Sequence, residues 1–299
     1  MELAVIILNW NAAADTVSCA RRIAAWERLR PVILVVDNGS VDDSVEVISR
    51  ECPDVHLVRN KTNLGFGGGN NRGIVEALAA GSTAILLLNN DAFIEEDDAT
   101  RLLSTLQDDE RIGFVGPLLF DAEVKGRLLA AGGRDPVRHH HSHIYELPRN
   151  DPIHIVEYVP GTVLLGRSEL FRTVGILDEE YFFTMEVADL CMRAARRGYV
   201  SAVDTRARAF HRLSRSSNLR ETLHTYYIIR NRFLFIRKFY PKQKVLYYGF
   251  WTLYSLALSL KVQFSGKPTT AQAVRLGLLD GLRGQFGGQN ERVLNEWPS

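Results

Sequence analysis

The sequence predicts an α/β fold with a mainly parallel central sheet, followed by a helical, basic and aromatic C-terminal extension. Three observations predict it. Short apolar runs alternate with helical periodicity from Met1 to Asp91, each run stops on polar residues, and the pattern changes after His211 to interleaved cations and aromatics. Strands alternating with helices imply parallel pairing, since a parallel neighbour is reached only through a crossover connection.

Glu2–Leu8 is a nearly continuous apolar run before Asn9-Trp10-Asn11, as in a strand buried on both faces. A helix is expected over Ala13–Arg28, a second strand at Val32–Val36 stopping at Asp37-Asn38-Gly39-Ser40, and a helix over Asp42–Arg50. Val55–Arg59 reads as a third strand, the Gly-rich Gly65–Gly69 as a loop, Asn70–Ala80 as a helix closed by Gly81, and Ala84–Leu88 as a fourth strand. That strand ends at Asn89-Asn90-Asp91, and Glu95-Glu96-Asp97-Asp98 supplies acids suited to the N-terminus of a following helix. Arg111–Pro160 shows no clear period and is expected to be a loop or short hairpin. Val163–Gly166 reads as a strand and Leu170–Val174 as a helical turn. Thr184 is positioned to cap a helix over Met185–Arg197 closed by Gly198, and Tyr199–Val203 is a late strand.

Hydrophobic residues at 46% and charged residues at 24% match ordinary globular usage and exclude disorder and a multi-span membrane protein. Cys19, Cys52 and Cys191 are widely spaced, which favours a reducing compartment, and the N-terminus lacks the pattern of a signal peptide. The net charge of +1 hides an asymmetry: Arg206–Lys244 holds eleven Lys or Arg and one acid, Glu221. Val245–Leu260 then runs for 16 residues without a charge between Lys244 and Lys261. A spanning helix needs ~20 predominantly apolar residues, so the run fits an interfacial helix or a packed hairpin of helices instead. The histidines at 139, 140, 141 and 143 lack the spacing of a structural metal site and read as a surface segment.

Ligands of open parallel sheets bind outside the carboxyl ends of the strands. Asn9, Asn11, Asp37, Asn38, Asn89, Asn90 and Asp91 collect at those ends here. Five segments carry a wider pattern: Val5-Ile6-Ile7-Leu8-Asn9-Trp10-Asn11, Val36-Asp37-Asn38-Gly39-Ser40, Asn63–Asn71, Leu88-Asn89-Asn90-Asp91, and Val174–Glu179 through Asp189-Leu190-Cys191. In this order they resemble the family-2 glycosyltransferases with the GT-A fold, particularly the bacterial rhamnosyltransferase-like branch. The resemblance covers about 1–212, with a donor half at 1–110 and an acceptor half at 111–212. Residues 213–299 form the extension.

The resemblance implies that Asp37 contacts the nucleotide base, with Asn38 holding the nucleotide and Asn9 and Asn11 beside base or ribose. Asp-Asn-Gly-Ser is also good turn chemistry on its own. Gly67 and Asn70 would lie where the backbone approaches the donor. Asn89-Asn90-Asp91 takes the place of the Asp-x-Asp metal motif, so Asp91 is the expected ligand of a divalent cation, Mg or Mn, with His211 completing the site. The usual general base of the inverting members falls on Val187, which cannot accept a proton. Glu186 is therefore the favoured base, with Asp189, three residues on, as second candidate or acceptor-orienting group. The implied donor is dTDP-rhamnose, with a UDP-sugar second, and the implied acceptor a lipid-linked or growing surface glycan. A cytoplasmic protein touching the inner face of the membrane follows, with no nucleic-acid role and with oligomeric state open. The alternatives are a nucleotide-sugar-binding subunit without activity, motivated by Val187, and a sugar-phosphate nucleotidyltransferase, whose basic phosphate loop after the first strand is missing here.

Overall fold

A computed structural model describes residues 1–147, 151–213 and 218–295, the side chains of 218–221 and 295 excepted. The described residues fall into two compact units. One draws on Met1–Asp135, His141–Leu177 and Val187–Leu213, the other on Pro136–His140, Asp178–Glu186 and Ser214–Ser299.

The first unit opens as β1 (Leu3–Asn9), α1 (Ala13–Ala24), β2 (Val32–Asp37), α2 (Ser44–Glu51), β3 (His56–Arg59), α3 (Gly65–Ala79) and β4 (Ala84–Asn89). All pairings in the order β3-β2-β1-β4 are parallel. Val5, Ile6 and Ile7 are wholly buried, as a strand covered on both faces requires. Beyond β4 the sheet becomes mixed, through β5 (Ala92–Ile94), β6 (Ile112–Asp121), β7 (Leu128–Ala130), β8 (Ile153–Val156), β9 (Val163–Arg167) and β10 (Val200–His211). The order continues β4-β9-β6-β10-β5, with β9 antiparallel to β4 and β6, and β6 parallel to β10. Helix α4 (Glu96–Asp108) begins on its acids, and α5 (Ser168–Thr173) and α6 (Glu186–Ala195) follow β9.

Four expectations are corrected. The glycines Gly65–Gly69 form the first turns of α3 rather than a loop, so the helix starts before Asn70. Gly69, and Gly73 one turn on, serve packing: a Cβ on Gly69 would lie 2.5 Å from Leu8 Cδ1, and one on Gly73 2.6 Å from Ile6 Cγ2, so α3 lies tightly against β1. Arg111–Pro160 is not a loop or short hairpin, since it contains the ten-residue β6 inside the sheet. Gly113, Gly116 and Pro117 hide this strand. A Cβ on Gly113 would meet Leu170 and one on Gly116 Val159, while Pro117 pairs with Asp204 where β10 slips register before Arg208. A residue without an N–H is tolerated at such an interruption of the ladder. Helix α1 ends at Ala24 instead of Arg28. Helix α6 begins at Glu186 without Thr184 as cap, since Thr184 and Met185 have φ of 70° and 69°. Residues 148–150 and, in the basic segment, 214–217 lie outside the described residues.

The second unit contains a 3-10 turn (Glu179–Tyr181), α7 (Asn218–Phe239), α8 (Lys244–Phe264), α9 (Pro268–Arg283) and α10 (Asn290–Asn295). Helices α7 and α9 approach closely at two glycines: a Cβ on Gly277 would lie 2.6 Å from Tyr226 O, and one on Gly281 2.6 Å from Phe233 Cδ2. Several cations of the basic segment are spent inside this unit. Arg230 is fully buried and donates to the carbonyls of Gly287 (2.5 Å), Glu180 (3.2 Å) and Tyr181 (2.9 Å). Arg232 stacks on the Trp251 ring at 3.7 Å and donates to Pro136 O, and Lys238 pairs with Asp178 at 2.5 Å. These contacts give three of the cations partners inside the unit, on carbonyls, a ring and a carboxylate.

Gly73→Val places a branched side chain against Ile6 and Val36, both fully buried. Overpacking of a closed core costs ~1–3 kcal/mol, so the urea midpoint of the variant is expected to fall by the equivalent of about 2 kcal/mol.

Candidate active site

Strand register builds the site. The β1–β2 ladder sets Asn9 opposite Asp37, and the β1–β4 ladder sets Leu8 opposite Asn89, so the polar ends of three parallel strands finish level. Side chains then tie the rim together. Asn9 Nδ2 donates to Asp37 Oδ1 (2.8 Å) and to Ser40 Oγ (3.1 Å), while the Ser40 N–H reaches Asp37 Oδ2 (3.1 Å). Thr16 Oγ1, fully buried on α1, donates to Asn9 Oδ1 (2.7 Å) and accepts from Asn90 Nδ2 (2.9 Å). One continuous chain of hydrogen bonds thus runs from Asp37 to the residue beside Asp91. Thr16 and Ser40 were missed by the sequence reading. Only the Ser following Asp37-Asn38-Gly39 gave a signal, as turn chemistry.

Asn11 is exposed in a left-handed conformation (φ 51°), donating its N–H to Ser40 Oγ (2.9 Å) and accepting from the Val41 N–H (2.9 Å). Asn38 is differently employed. Its amide donates to Asn63 Oδ1 and Gly65 O (3.0 Å each), and its carbonyl accepts from Asn60 Nδ2 and the Leu64 N–H (3.1 Å each). That exhausts the two donors and two acceptor positions of an amide side chain. Asn38 therefore shapes the approach to α3. Asn70, buried in the same helix, donates back to Phe66 O (2.9 Å), and Gly67 is buried one turn ahead of Asn71. Asn71 clasps the Leu177 backbone with both ends of its amide (2.9 and 3.0 Å).

At the other end of the rim, β5 pairs antiparallel with β10 and sets His211 opposite Ala92. This brings His211 Nε2 to 3.0 Å from Asp91 Oδ1, with both side chains largely buried, and the Arg212 N–H donates to Asp91 O (3.0 Å). Asn89 donates its backbone N–H to Thr162 O (3.0 Å). A small cleft beside Asn90 and Asp91 is lined also by Asp15, Cys19, Arg22 and Arg212. The two arginines place positive charge near Asp91, although Arg212 pairs with Asp15 at 3.7 Å and Arg22 lies over the Phe93 ring at 4.7 Å. Burial, helped by the Asp91 charge, pushes the Cys19 thiol up to about 12. In register with His211 on β6, Asp121 accepts the N–H groups of Glu123 (2.7 Å) and Val124 (3.0 Å), which hold its carboxyl below the usual range.

The acids of α6 differ from one another. Glu186, its first residue, is 4% exposed. Asp189 is fully buried and paired with Arg193 (2.6 Å), whose guanidinium also donates to Val174 O (2.8 Å) and Ile176 O (2.6 Å). Asp189 thus anchors the 174–177 segment. Val187 is buried, and a Cβ on Gly161 would lie 2.9 Å from its Cγ2. The histidine tract brings no ligands together: His140 contacts Tyr254, and His143 stacks edge-on to Tyr158. Among the described residues no group of three or more His, Cys, Asp or Glu is clustered to hold a metal.

The family model described as glycosyl transferase family 2 matches residues 4–168, more than half of the 299. The chain belongs to glycosyl transferase family 2. Across 96% of its length the transferase is 25% identical to the low-salt glycan biosynthesis hexosyltransferase Agl10 of Haloferax volcanii, covering 92% of that protein. It is 28% identical to the N-acetylglucosaminyl-diphospho-decaprenol L-rhamnosyltransferase of Mycobacterium tuberculosis, over 63% of this chain and 69% of that one. The dTDP-rhamnosyl transferase RfbF of Shigella flexneri is 24% identical over 86% and 88%. Among solved structures, the mannosyltransferase PcManGT of Pyrobaculum calidifontis, in complex with GDP-Man and Mn2+, superposes with a TM-score of 0.61 at 14% identity, over 95% of this chain and 88% of that one. GalNAc-T7 with UDP, GalNAc and Mn2+ superposes with a TM-score of 0.59 at 15% identity over 78% of this chain, which spans about half (51%) of that longer protein. The fold is therefore GT-A, and the protein is a glycosyltransferase.

Thr16→Val strands Asn9 Oδ1 and Asn90 Nδ2 without their shared hydroxyl, at a cost of ~1–3 kcal/mol for buried polar groups left unsatisfied. Equilibrium denaturation should register that loss, and Thr16→Ser should restore most of it. Thiolate is the reactive form of cysteine, and burial lifts Cys19 to about 12 and Cys191 to about 11. Iodoacetamide at pH 8 should therefore spare both in the native protein and modify them in urea, as read by mass spectrometry.

Proposed function

We propose that the transferase moves a sugar from a nucleoside-diphosphate donor, dTDP-rhamnose first and a UDP-sugar second, to a hydroxyl of a lipid-linked or growing cell-surface glycan, with inversion and with a divalent cation. The observation that carries the donor half is the pairing of Asp91 with His211 at 3.0 Å on the same strand-end rim as Asp37. The choice of rhamnose rests on the M. tuberculosis and S. flexneri relatives.

Asp91 and His211 present one carboxylate oxygen and one imidazole nitrogen close together, which suits Mg or Mn. Such a cation binds through one or two protein ligands and completes its shell with waters and phosphate oxygens. When bound, it supplies positive charge that stabilises the departing diphosphate. Asp37 keeps acceptor capacity on both oxygens beyond the bonds from Asn9 and Ser40, enough to receive the imide N–H of thymine or uracil. Asn11, exposed and bonded to Ser40, is the residue we assign to the base or ribose at this edge. Asn38, Gly67 and Asn70 act through the loop and helix start they shape, and Asn89 and Asn90 through the backbone that carries Asp91.

Glu186 takes the proton of the acceptor hydroxyl. The acceptor oxygen attacks the anomeric carbon from the face opposite the leaving group, a new C–O bond forms, and the bond to the diphosphate breaks with its electron pair leaving on the nucleotide. The Arg193 contact supports assigning Asp189 to positioning this helix and Glu186 to the base.

General-base catalysis is worth ~10²–10⁴-fold, so Glu186→Gln is expected to lower kcat at least a hundredfold with the donor KM little changed. Full turnover by that variant would sink the assignment. Thermal unfolding with nucleoside diphosphates tests the donor: dTDP with manganese should raise the Tm more than UDP, and Asp91→Ala should abolish the manganese-dependent part.

A further inference from the structure

We infer that the outward face of α8 binds an anionic lipid surface. Helix α8 is amphipathic in the reverse of the usual sense. Its buried line is Trp251, Ser255 and Ser259, and the two serine hydroxyls are satisfied internally by Trp251 O (2.7 Å) and Ala271 O (3.2 Å). Opposite that line, at helical spacing, lie Leu246, Phe250, Leu253, Leu260 and Phe264, with exposures such as 70% for Leu253 and 87% for Phe264. A helix docked only on its own protein turns its apolar stripe inward. This one buries two serines beside Trp251 and turns its other large apolar residues outward, so that among the described residues nothing covers the stripe.

Charge selects the occupant. From Thr222 to Leu279 the sequence contains no Asp or Glu, and Lys242, Lys244, Lys261 and Lys267, at or just beyond the two ends of α8, are all exposed. An apolar stripe with lysines at its ends, in a stretch of chain without acids, complements the boundary between acyl chains and anionic headgroups. Tyr247 and Tyr254 are only partly buried on the flanks, where aromatic rings suit the headgroup level. No helix among the described residues is long and apolar enough to cross a membrane, so the binding is interfacial.

The test is cosedimentation of the full-length protein with vesicles of phosphatidylcholine alone or with phosphatidylglycerol at about a third of the lipid. The expected result is binding to the anionic vesicles that weakens as salt rises. Phe250→Ser with Leu253→Ser should lower partition at least ten-fold, and Lys242→Gln with Lys261→Gln should lower it by up to about five-fold per lysine, the equivalent of ~1 kcal/mol each near an anionic surface. Because all four positions are exposed, circular dichroism and Tm should match the parent. If the serine pair misfolds, Leu246→Ser with Leu260→Ser asks the same question. Wild-type protein that stays in the supernatant, or a serine pair that binds vesicles as well as wild type, overturns the inference. So does a wild-type oligomer in sedimentation velocity that the serine pair converts to monomer without any vesicle binding, since the stripe would then join two copies. The readout needs neither donor nor acceptor, so its failure leaves the proposed transfer reaction untouched.

Discussion

The backbone ladder that holds β1 between β2 and β4 is the constraint on which the rest of the first unit depends. It makes Asn9 level with Asp37 and Leu8 level with Asn89, so that residues far apart in sequence share one rim. Every later refinement assumes that alignment. The amide of Asn9 can reach Asp37, and Thr16 can reach both Asn9 and Asn90, only because the strands end together. A slip of one residue in either ladder would turn the slipped strand's side chains to the opposite face and take the rim residues out of line.

Polar residues at the rim divide their labour. Some are fully occupied in holding others: Asn38 uses its entire amide on the chain between Asn60 and Gly65, Asn71 grips the Leu177 backbone, and Asp189 works through Arg193 on the carbonyls of Val174 and Ile176. Asp37 is differently placed, since the bonds from Asn9 and Ser40 leave acceptor positions on its carboxylate. If the rim holds the nucleotide as proposed, preorganisation of this kind leaves little ordering to be done on binding.

The N-terminal strands were legible because they are buried on both faces, and a continuous apolar run followed by Asn or Asp is a strong pattern. The family followed from five ordered segments, each weak alone. What stayed hidden had physical reasons. Strand β6 contains Gly113, Gly116 and Pro117 because neighbouring side chains and a slipped ladder require them, and those residues mimic a loop. The Gly65–Gly69 run reads as flexible chain, yet it is helical, and at Gly69 the missing side chain serves helix-to-sheet contact. Thr16 carries no motif at all, since its importance lies in hydrogen bonds to residues 7 and 74 positions away. The pairing of Asp189 with Arg193 could not be seen from two acids three apart on one helix face.

Strand β5 is three residues long and lies at the margin of the sheet, held laterally by the last residues of β10. Short marginal strands open at low free-energy cost compared with the interior of a fold. Asp91 and His211 sit on opposite sides of that seam, so they are neighbours only while it is zipped. Any ligand that touches both residues is thermodynamically coupled to closing the seam: what it gains in binding appears as slower amide exchange at Ala92–Ile94, and a fault in the seam reappears as weaker binding.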